Sequence, residues 1–161
     1  MRTGYAPVAS QEDLLRQLTQ LSVKTLVIDI EPLVAYWDSS QNSLDLGIAA
    51  LLGQLAPIPG LHVVCFATNS ARLPSAGPKA AGLEVEYLAS ARKPLRTAPY
   101  SRFPRPGAVI GDQVLTDGVL ARRLRYTFLH YRPDLPGAPL GPLLLSRGGD
   151  LVRPLLFARP G

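Results

Sequence analysis

Polar side chains that could carry out phosphoryl transfer lie at the ends of the apolar runs in this sequence, or shortly after them. They are four carboxylates, one hydroxyl, one amide and one lysine: Asp29, Glu31, Thr68, Asn69, Lys93, Asp112 and Asp117. Carboxylate oxygens are the ligands that Mg²⁺ prefers, and a cationic side chain offsets the charge of a phosphoryl group. An aspartate can also act as a nucleophile and form an acyl phosphate. The set therefore predicts Mg²⁺-dependent phosphoryl transfer.

The elements that must position these side chains are buried strands connected by helices. Five short apolar runs are predicted to be strands: Thr25–Ile30, Leu61–Ala67, Leu83–Leu88, Ala108–Ile110 and Thr127–Tyr131. Helices are predicted from apolar residues at helical spacing: Gln11–Leu21, Ser43–Leu55 and Leu115–Leu124. Alternating strands and helices form a mostly parallel sheet, because parallel neighbours need a crossover connection. The predicted fold class is α/β, and ligands of such sheets bind beyond the carboxyl ends of the strands.

The chain has the size and composition of one domain. Its 161 residues are 47% hydrophobic and 18% charged, which allows a sizeable core and excludes a wholly disordered protein. We predict a single domain over residues 1–161, with an N-terminal helix at about residues 11–21 and a core at about residues 25–133. A basic segment rich in leucine and proline follows, over about residues 134–161.

The number and positions of the cysteine and the two histidines argue against a disulfide and against a metal site built from these residues. A single cysteine, Cys65, excludes an intramolecular disulfide and a cysteine-rich metal site, and it favours a reducing compartment. His62 and His130 flank predicted strands, so we expect them at sheet edges and not as metal ligands. Without an apolar run long enough to span a membrane or a signal-peptide core, the protein is predicted to be cytoplasmic.

The positive charge of the chain is concentrated in its last quarter. Up to Ala121, ten basic residues balance ten acidic ones, and from Arg122 onward seven arginines face two aspartates. In the stretch Leu143–Phe157, Arg147 and Arg153 lie between apolar residues, a pattern that predicts peripheral contact with an anionic membrane and no nucleic acid partner. Two alternatives remain: the leucines close the core as a final strand or strap, or the arginines only make the segment soluble.

Five of the polar residues occur in the order of the four motifs of the haloacid dehalogenase (HAD) superfamily of aspartate-based phosphatases: Asp29, Thr68, Lys93, Asp112 and Asp117. The stretch DIEPLVAYWD is similar to the first motif of the YqeG-type, type IIIA members, and IGDQVLTD closely resembles their fourth. ATNSAR and ARKP fit the second and third motifs. The resemblance covers roughly Leu26 to Pro133, and it implies a Rossmann-like three-layer sandwich.

The resemblance implies a role for each carboxylate. Asp29 would be the nucleophile and a Mg²⁺ ligand. Glu31 would occupy the acid/base position, and its backbone carbonyl would be a second metal ligand. Asp112 would be a further ligand, and Asp117 would orient the waters of the magnesium ion together with the lysine of the third motif.

The same resemblance implies how phosphate is held and which substrates fit. Thr68, with Asn69 beside it, would bind the phosphoryl oxygens, and Lys93 would neutralise the nucleophile and the phosphate. Intervals of 38 residues between Asp29 and Thr68 and 24 between Thr68 and Lys93 leave no room for a sizeable cap domain. A capless site is open and favours a phosphate on a macromolecule or a lipid. Since similar proteins include phosphatidylglycerophosphate phosphatases, that lipid is the leading substrate expectation.

The first motif departs from the family pattern at three positions. Glu31 stands where the family has an aspartate, which moves the carboxylate one methylene farther from the main chain. Pro32 replaces a common asparagine and removes a backbone N–H, and Leu33 replaces a threonine. Two hypotheses therefore stay open. One is an active phosphatase, and the other is a catalytically degenerate protein of this fold that serves as a binding or structural module.

Overall fold

A single sheet of six strands, all parallel, organises the fold. In the computed structural model, which describes residues 4–36, 38–132, 149, 152–154, 156 and 157, the strands lie in the order β1-β6-β5-β2-β3-β4. Their bounds are β1 Tyr5–Val8, β2 Thr25–Asp29, β3 Val63–Ala67, β4 Glu84–Leu88, β5 Gly107–Gly111 and β6 Thr127–Tyr131. The predicted α/β class and all five predicted strands are confirmed.

Three helices connect the strands: α1 (Gln11–Leu21), α2 (Gln41–Leu55) and α3 (Val119–Leu124). Serines cap the first two, since the Ser10 and Ser40 hydroxyls each accept a hydrogen bond from a backbone N–H in the first turn. The predicted helix over residues 115–124 is a π-helical turn, Val114–Gly118, that continues into α3. Within the described ranges, no helix is long and apolar enough to cross a membrane.

Apolar side chains alternate between the two faces of the sheet and produce three layers. Leu26 and Ile28 of β2 belong to the cluster that contains Ile48 of α2, whereas Val27 belongs to a second cluster with Leu120 of α3. Because both faces of the central strands are covered, their sequences are continuous apolar runs instead of alternating ones. The architecture is a Rossmann-like sandwich.

The strand β1 was not among the predicted strands. It is short and contains Pro7, which lacks a backbone N–H and is tolerated in sheets mainly at edges. Among the described residues β1 pairs with β6 alone, and Tyr5 lies opposite Phe128. Because β1 covers it, β6 is an interior strand and the side chain of His130 is only 1% exposed. The prediction that His130 lies at a sheet edge is therefore wrong.

The connections of the sheet change direction between β2 and β5. From β2 the chain continues outward to β3 and β4, and it then returns to β5 on the other side of β2. At such a switch point, connections leave neighbouring strands in opposite directions and open a crevice at their carboxyl ends. Asp29 ends β2 and Asp112 follows β5, so their carboxylates meet at this crevice.

The described part of the C-terminal segment packs on the face of the sheet that carries α3. Phe157 is buried, with its ring centroid 5.4 Å from that of Phe128. The guanidinium carbon of Arg153 lies 5.4 Å from the centroid of the Tyr5 ring. Arg147, the other arginine of the predicted membrane contact, lies outside the described residues. These contacts agree with the alternative in which the segment closes the core.

Two glycines of α2 provide a matched test of how this helix packs on the loop after β2. A Cβ at Gly47 would lie 2.7 Å from the Val34 carbonyl oxygen, whereas a Cβ at Gly53 would have no neighbour within 4 Å. We expect Gly53→Ala to raise the free energy of unfolding by about 0.5–1 kcal/mol, because alanine favours the helix and restricts the unfolded chain. Gly47→Ala should lower it, since the loop must move. Urea unfolding measures both, and equal stabilisation would contradict the close packing.

Candidate active site

A buried lysine joins two aspartates at the carboxyl edge of the sheet. The Lys93 Nζ lies 2.9 Å from Asp29 Oδ1 and 2.7 Å from Asp117 Oδ1. The side chain of Lys93 is 1% exposed, and that of Asp117 is fully buried. Burial alone lowers the pKa of Lys93, but the charges of Asp117 and Asp29 outweigh it and raise that pKa above its ordinary value. The lysine is therefore a fixed positive charge.

Three carboxylates converge beside this lysine. Asp29, Asp112 and Asp117 place oxygens within 4.8 Å of one another. Burial, and then the charge of Asp117, raise the pKa of Asp29 well above its ordinary value, and the same two causes raise the pKa of Asp112 to about 7. Lys93 alone thus does not balance the charge of the three carboxylates.

One oxygen of Asp112 indicates what this cluster lacks. Within the described part of the chain, the buried Oδ1 of Asp112 has no hydrogen-bond partner. Such an atom is costly to bury, because its hydration is lost and nothing replaces it. A divalent cation between Asp29, Asp112 and Asp117 would supply both the missing charge and the missing partner. Hard carboxylate oxygens suit Mg²⁺, whose ligands lie at about 2.0–2.1 Å, so the residues present fit this ion.

The π-helical turn Val114–Gly118 brings Asp117 to the cluster. The Asp117 N–H donates to the Gln113 carbonyl at 2.8 Å, and the Gln113 N–H donates to Asp117 Oδ2 at 3.4 Å. A Cβ at Gly111 would lie 2.2 Å from Asp117 Oδ2, so this approach requires glycine at the end of β5. The turn and the glycine together place Asp117 beside Asp112, as the fourth motif of the sequence predicts.

The loop after β3 contributes Thr68 and Asn69 to the site, and it contacts the main chain of Lys93. The buried Thr68 Oγ1 accepts a hydrogen bond from the Ser70 N–H at 3.0 Å and lies 2.9 Å from Ser70 Oγ. The side chain of Asn69 accepts from the Lys93 N–H at 2.7 Å and donates to the Lys93 carbonyl at 3.2 Å. Asn69 was predicted to bind phosphate. Its described contacts instead position Lys93, and a contact of Asn69 with phosphate stays a prediction.

The carboxylate of Glu31 faces a cation that was not singled out in the sequence. The Arg72 Nη1 lies 3.8 Å from Glu31 Oε1 and donates to the Tyr36 carbonyl at 3.0 Å. The Arg72 Nη2 donates to the carbonyls of Ser39 and, at 3.2 Å, Ser40. Arg72, which lies in the loop after β3, thus connects that loop with the loop after β2, of which Glu31 is a part. Glu31 is not one of the three clustered carboxylates. The available signal was an arginine at the end of the stretch ATNSAR.

Comparisons of the chain with protein-family models, with curated proteins and with solved structures find no match. The HAD resemblance therefore rests on the four sequence motifs alone.

Cation binding at the three carboxylates should depend on pH. In the absence of metal the pKa of Asp112 is about 7, so a proton occupies its carboxyl group at pH 6 and must leave when a cation binds. We expect the affinity for Mg²⁺ to be weaker at pH 6 than at pH 8 by about tenfold or more, because the proton on Asp112 competes with the ion and the raised pKa of Asp29 acts in the same direction. Isothermal titration calorimetry at the two pH values measures this ratio, and equal affinities would contradict it.

The same group predicts how the metal-free protein responds to pH. The pKa of Asp112 is raised in the folded state above the value of about 3.9 for an unfolded chain. The stabilisation from this proton is complete below about pH 4 and is lost as the pH rises through about 7. Asp112→Asn should flatten this dependence. Asp45→Asn is the matched control: the Ser75 N–H hydrogen bond lowers the pKa of Asp45, so this substitution should leave the dependence between pH 5 and 8 unchanged.

Proposed function

We propose that the protein is a Mg²⁺-dependent phosphatase that hydrolyses a phosphate monoester through an aspartyl-phosphate at Asp29. The observation that carries this proposal is the convergence of Asp29, Asp112 and Asp117 around the buried Lys93, with one oxygen of Asp112 unpartnered among the described residues. The HAD resemblance supports the assignment of Asp29 as the nucleophile.

The first step of the proposed reaction transfers the phosphoryl group to Asp29. A carboxylate oxygen of Asp29 forms a bond to phosphorus as the bond to the leaving oxygen breaks, and Glu31 gives a proton to that oxygen. Lys93, 2.9 Å from Asp29 Oδ1, offsets the negative charge of the reacting groups, and Thr68 donates to a phosphoryl oxygen. A bound Mg²⁺, held by Asp29, Asp112 and Asp117, would supply further charge neutralisation.

The second step returns the protein to its starting state. A water molecule attacks the phosphorus of the acyl phosphate, and Glu31, now a carboxylate, accepts the proton that the water loses. The bond between phosphorus and the Asp29 oxygen breaks, which releases inorganic phosphate and restores the Asp29 carboxylate. Both steps therefore require the Glu31 carboxyl group to lie next to the phosphorus atom, where the leaving oxygen departs and the water attacks.

The short connections around the site favour a large or membrane-bound substrate. In the parts that the structure describes, residues 30–40 and 68–83 form turns and bends and contain no helix or strand. They are too short to enclose a small metabolite, which supports an open, capless site. We propose a phosphate on a lipid, such as phosphatidylglycerophosphate, as the substrate class. On this proposal the protein is cytoplasmic and contacts the membrane peripherally through its basic C-terminal segment.

A second candidate function is phosphate binding without turnover. The observation in its favour is the ion pair of Glu31 with Arg72, because this arginine competes with the leaving group for the carboxylate. Pro32 and Leu33 at positions of the first motif add to that case. This candidate keeps the fold and the metal ligands of the first, so kinetic measurements on Glu31 and Asp29 must separate the two.

The nucleophile assignment is tested with Asp29→Asn. We expect this substitution to abolish Mg²⁺-dependent hydrolysis of p-nitrophenyl phosphate, because an amide cannot form the acyl phosphate. Asp45→Asn is the matched control and should retain wild-type turnover, since Asp45 lies in α2 and hydrogen-bonds the Ser75 N–H. Turnover that survives in purified Asp29→Asn would remove Asp29 from this role.

Glu31→Gln tests acid/base catalysis. For an alkyl phosphate we expect kcat/KM, which reports the transfer to Asp29, to fall about 10²–10⁴-fold, the usual contribution of a positioned acid. The fall should be smaller for p-nitrophenyl phosphate, because its leaving group needs less protonation. Equal losses on both substrates would argue against an acid role for Glu31. If the wild type hydrolyses neither substrate while Glu31→Asp with Pro32→Asn gains activity, the binding function is the correct one.

A further inference from the structure

A chain of hydrogen bonds connects the C-terminal segment with the main chain of the aspartate cluster. The Arg153 Nη1 donates to the Tyr5 hydroxyl oxygen at 3.2 Å. That hydroxyl lies 3.0 Å from His130 Nδ1, and His130 Nε2 lies 3.1 Å from the carbonyl oxygen of Asp112. Four groups that are distant in the sequence thus form one continuous path, which ends at the backbone of a proposed metal ligand.

The chemistry of the two ends fixes the direction of this path. Arginine can only donate hydrogen bonds, and a carbonyl oxygen can only accept them. The carbonyl end requires the proton of a neutral His130 to be on Nε2, so that His130 donates to the Asp112 carbonyl and accepts from the Tyr5 hydroxyl at Nδ1. The Tyr5 oxygen then accepts from Arg153. Each described bond has one donor and one acceptor, and the burial of His130 shields the central bonds from water.

The same segment also packs on the turn that carries Asp117. A Cβ at Gly118 would lie 3.2 Å from the Cζ of Phe157, and a Cβ at Gly149 would lie 2.9 Å from the Cβ of Val114. Phe157 and Gly149 therefore approach the two ends of the π-helical turn. The segment reaches the loop from Asp112 to Gly118 at three places, one through hydrogen bonds and two through packing.

We propose that the described residues of the C-terminal segment, Gly149, Arg153 and Phe157 among them, form a positioning element of the cation site. It holds the Asp112 carbonyl through Tyr5 and His130, and it holds the turn of Asp117 through Phe157. In this way it sets the spacing between two carboxylates that must share one ion. The identity of the ion rests on the proposed function, whereas the coupling between segment and loop can be measured without metal.

Tyr5→Phe is the decisive variant for this coupling. It removes one hydroxyl and keeps the ring that packs on Phe128 and Phe157. Tyr87→Phe is the matched control, because its hydroxyl donates to the Pro78 carbonyl from β4 at the opposite edge of the sheet. In metal-free protein, we expect hydrogen–deuterium exchange over residues 112–118 to be about two- to tenfold faster in Tyr5→Phe and unchanged in Tyr87→Phe.

Titration with Mg²⁺ provides the second measurement. We expect Tyr5→Phe and Arg153→Gln to weaken Mg²⁺ binding about two- to tenfold, and Arg153→Lys, which keeps a cationic donor, to restore affinity to within about twofold of wild type. Tyr87→Phe should bind Mg²⁺ like the wild type even if its Tm falls equally. Unchanged exchange over residues 112–118 in Tyr5→Phe overturns the inference. A wild type that binds no Mg²⁺ overturns the proposed function instead, and the exchange data then decide the coupling alone.

Discussion

The contacts of Lys93 with Asp29 and Asp117 are the interaction on which the site depends. A buried ammonium group and buried carboxylates are each costly alone, and removal of one partner leaves an uncompensated charge, with a loss of about 3–5 kcal/mol. Several parts of the chain serve to keep these groups together. The Asn69 side chain hydrogen-bonds the main chain of Lys93. Arg123 of α3 donates to the carbonyls of Pro94 and Leu95, at 2.7 and 2.9 Å. The loop that carries Lys93 is therefore held by hydrogen bonds from two elements, the loop after β3 and helix α3.

The price of this arrangement is an excess of buried negative charge. Burial and mutual repulsion disfavour the ionised forms of Asp29 and Asp112, so these carboxylates oppose folding at neutral pH unless a cation joins them. Groups arranged for a ligand commonly reduce the stability of the fold in this way. The crevice at the switch point of the sheet provides the site, and the hydrophobic layers on both faces supply the stability that offsets the charge.

The sequence predicted the central strands well, because a strand covered on both faces is a continuous apolar run followed by a polar residue. It therefore also predicted that Asp29 and Asp112 meet, whereas Glu31, which was predicted at the same site, is not among the three clustered carboxylates. β1 was missed because Pro7 interrupts a run of four residues, and the wrong placement of His130 followed, since the neighbour of a strand is not encoded in its own residues. The partners of Asn69 and the pair of Arg72 with Glu31 were not predictable either. They depend on how two loops approach each other in space, and no spacing along the chain records that approach.

The order of the strands also affects how the sheet meets other chains. β1 and β4 are its two edges, where unpaired main-chain groups can recruit a foreign strand. The carbonyl of Gly4 accepts from the Phe128 N–H of β6, and that of Val8 accepts from the N–H of Arg132, the residue after β6. By the alternation of a strand, the main chain of Pro7 therefore faces outward. A foreign strand at this edge would lack one hydrogen bond, because Pro7 has no backbone N–H to donate. At the other edge it meets Glu84 and Glu86, so both borders of the sheet oppose edge-to-edge aggregation.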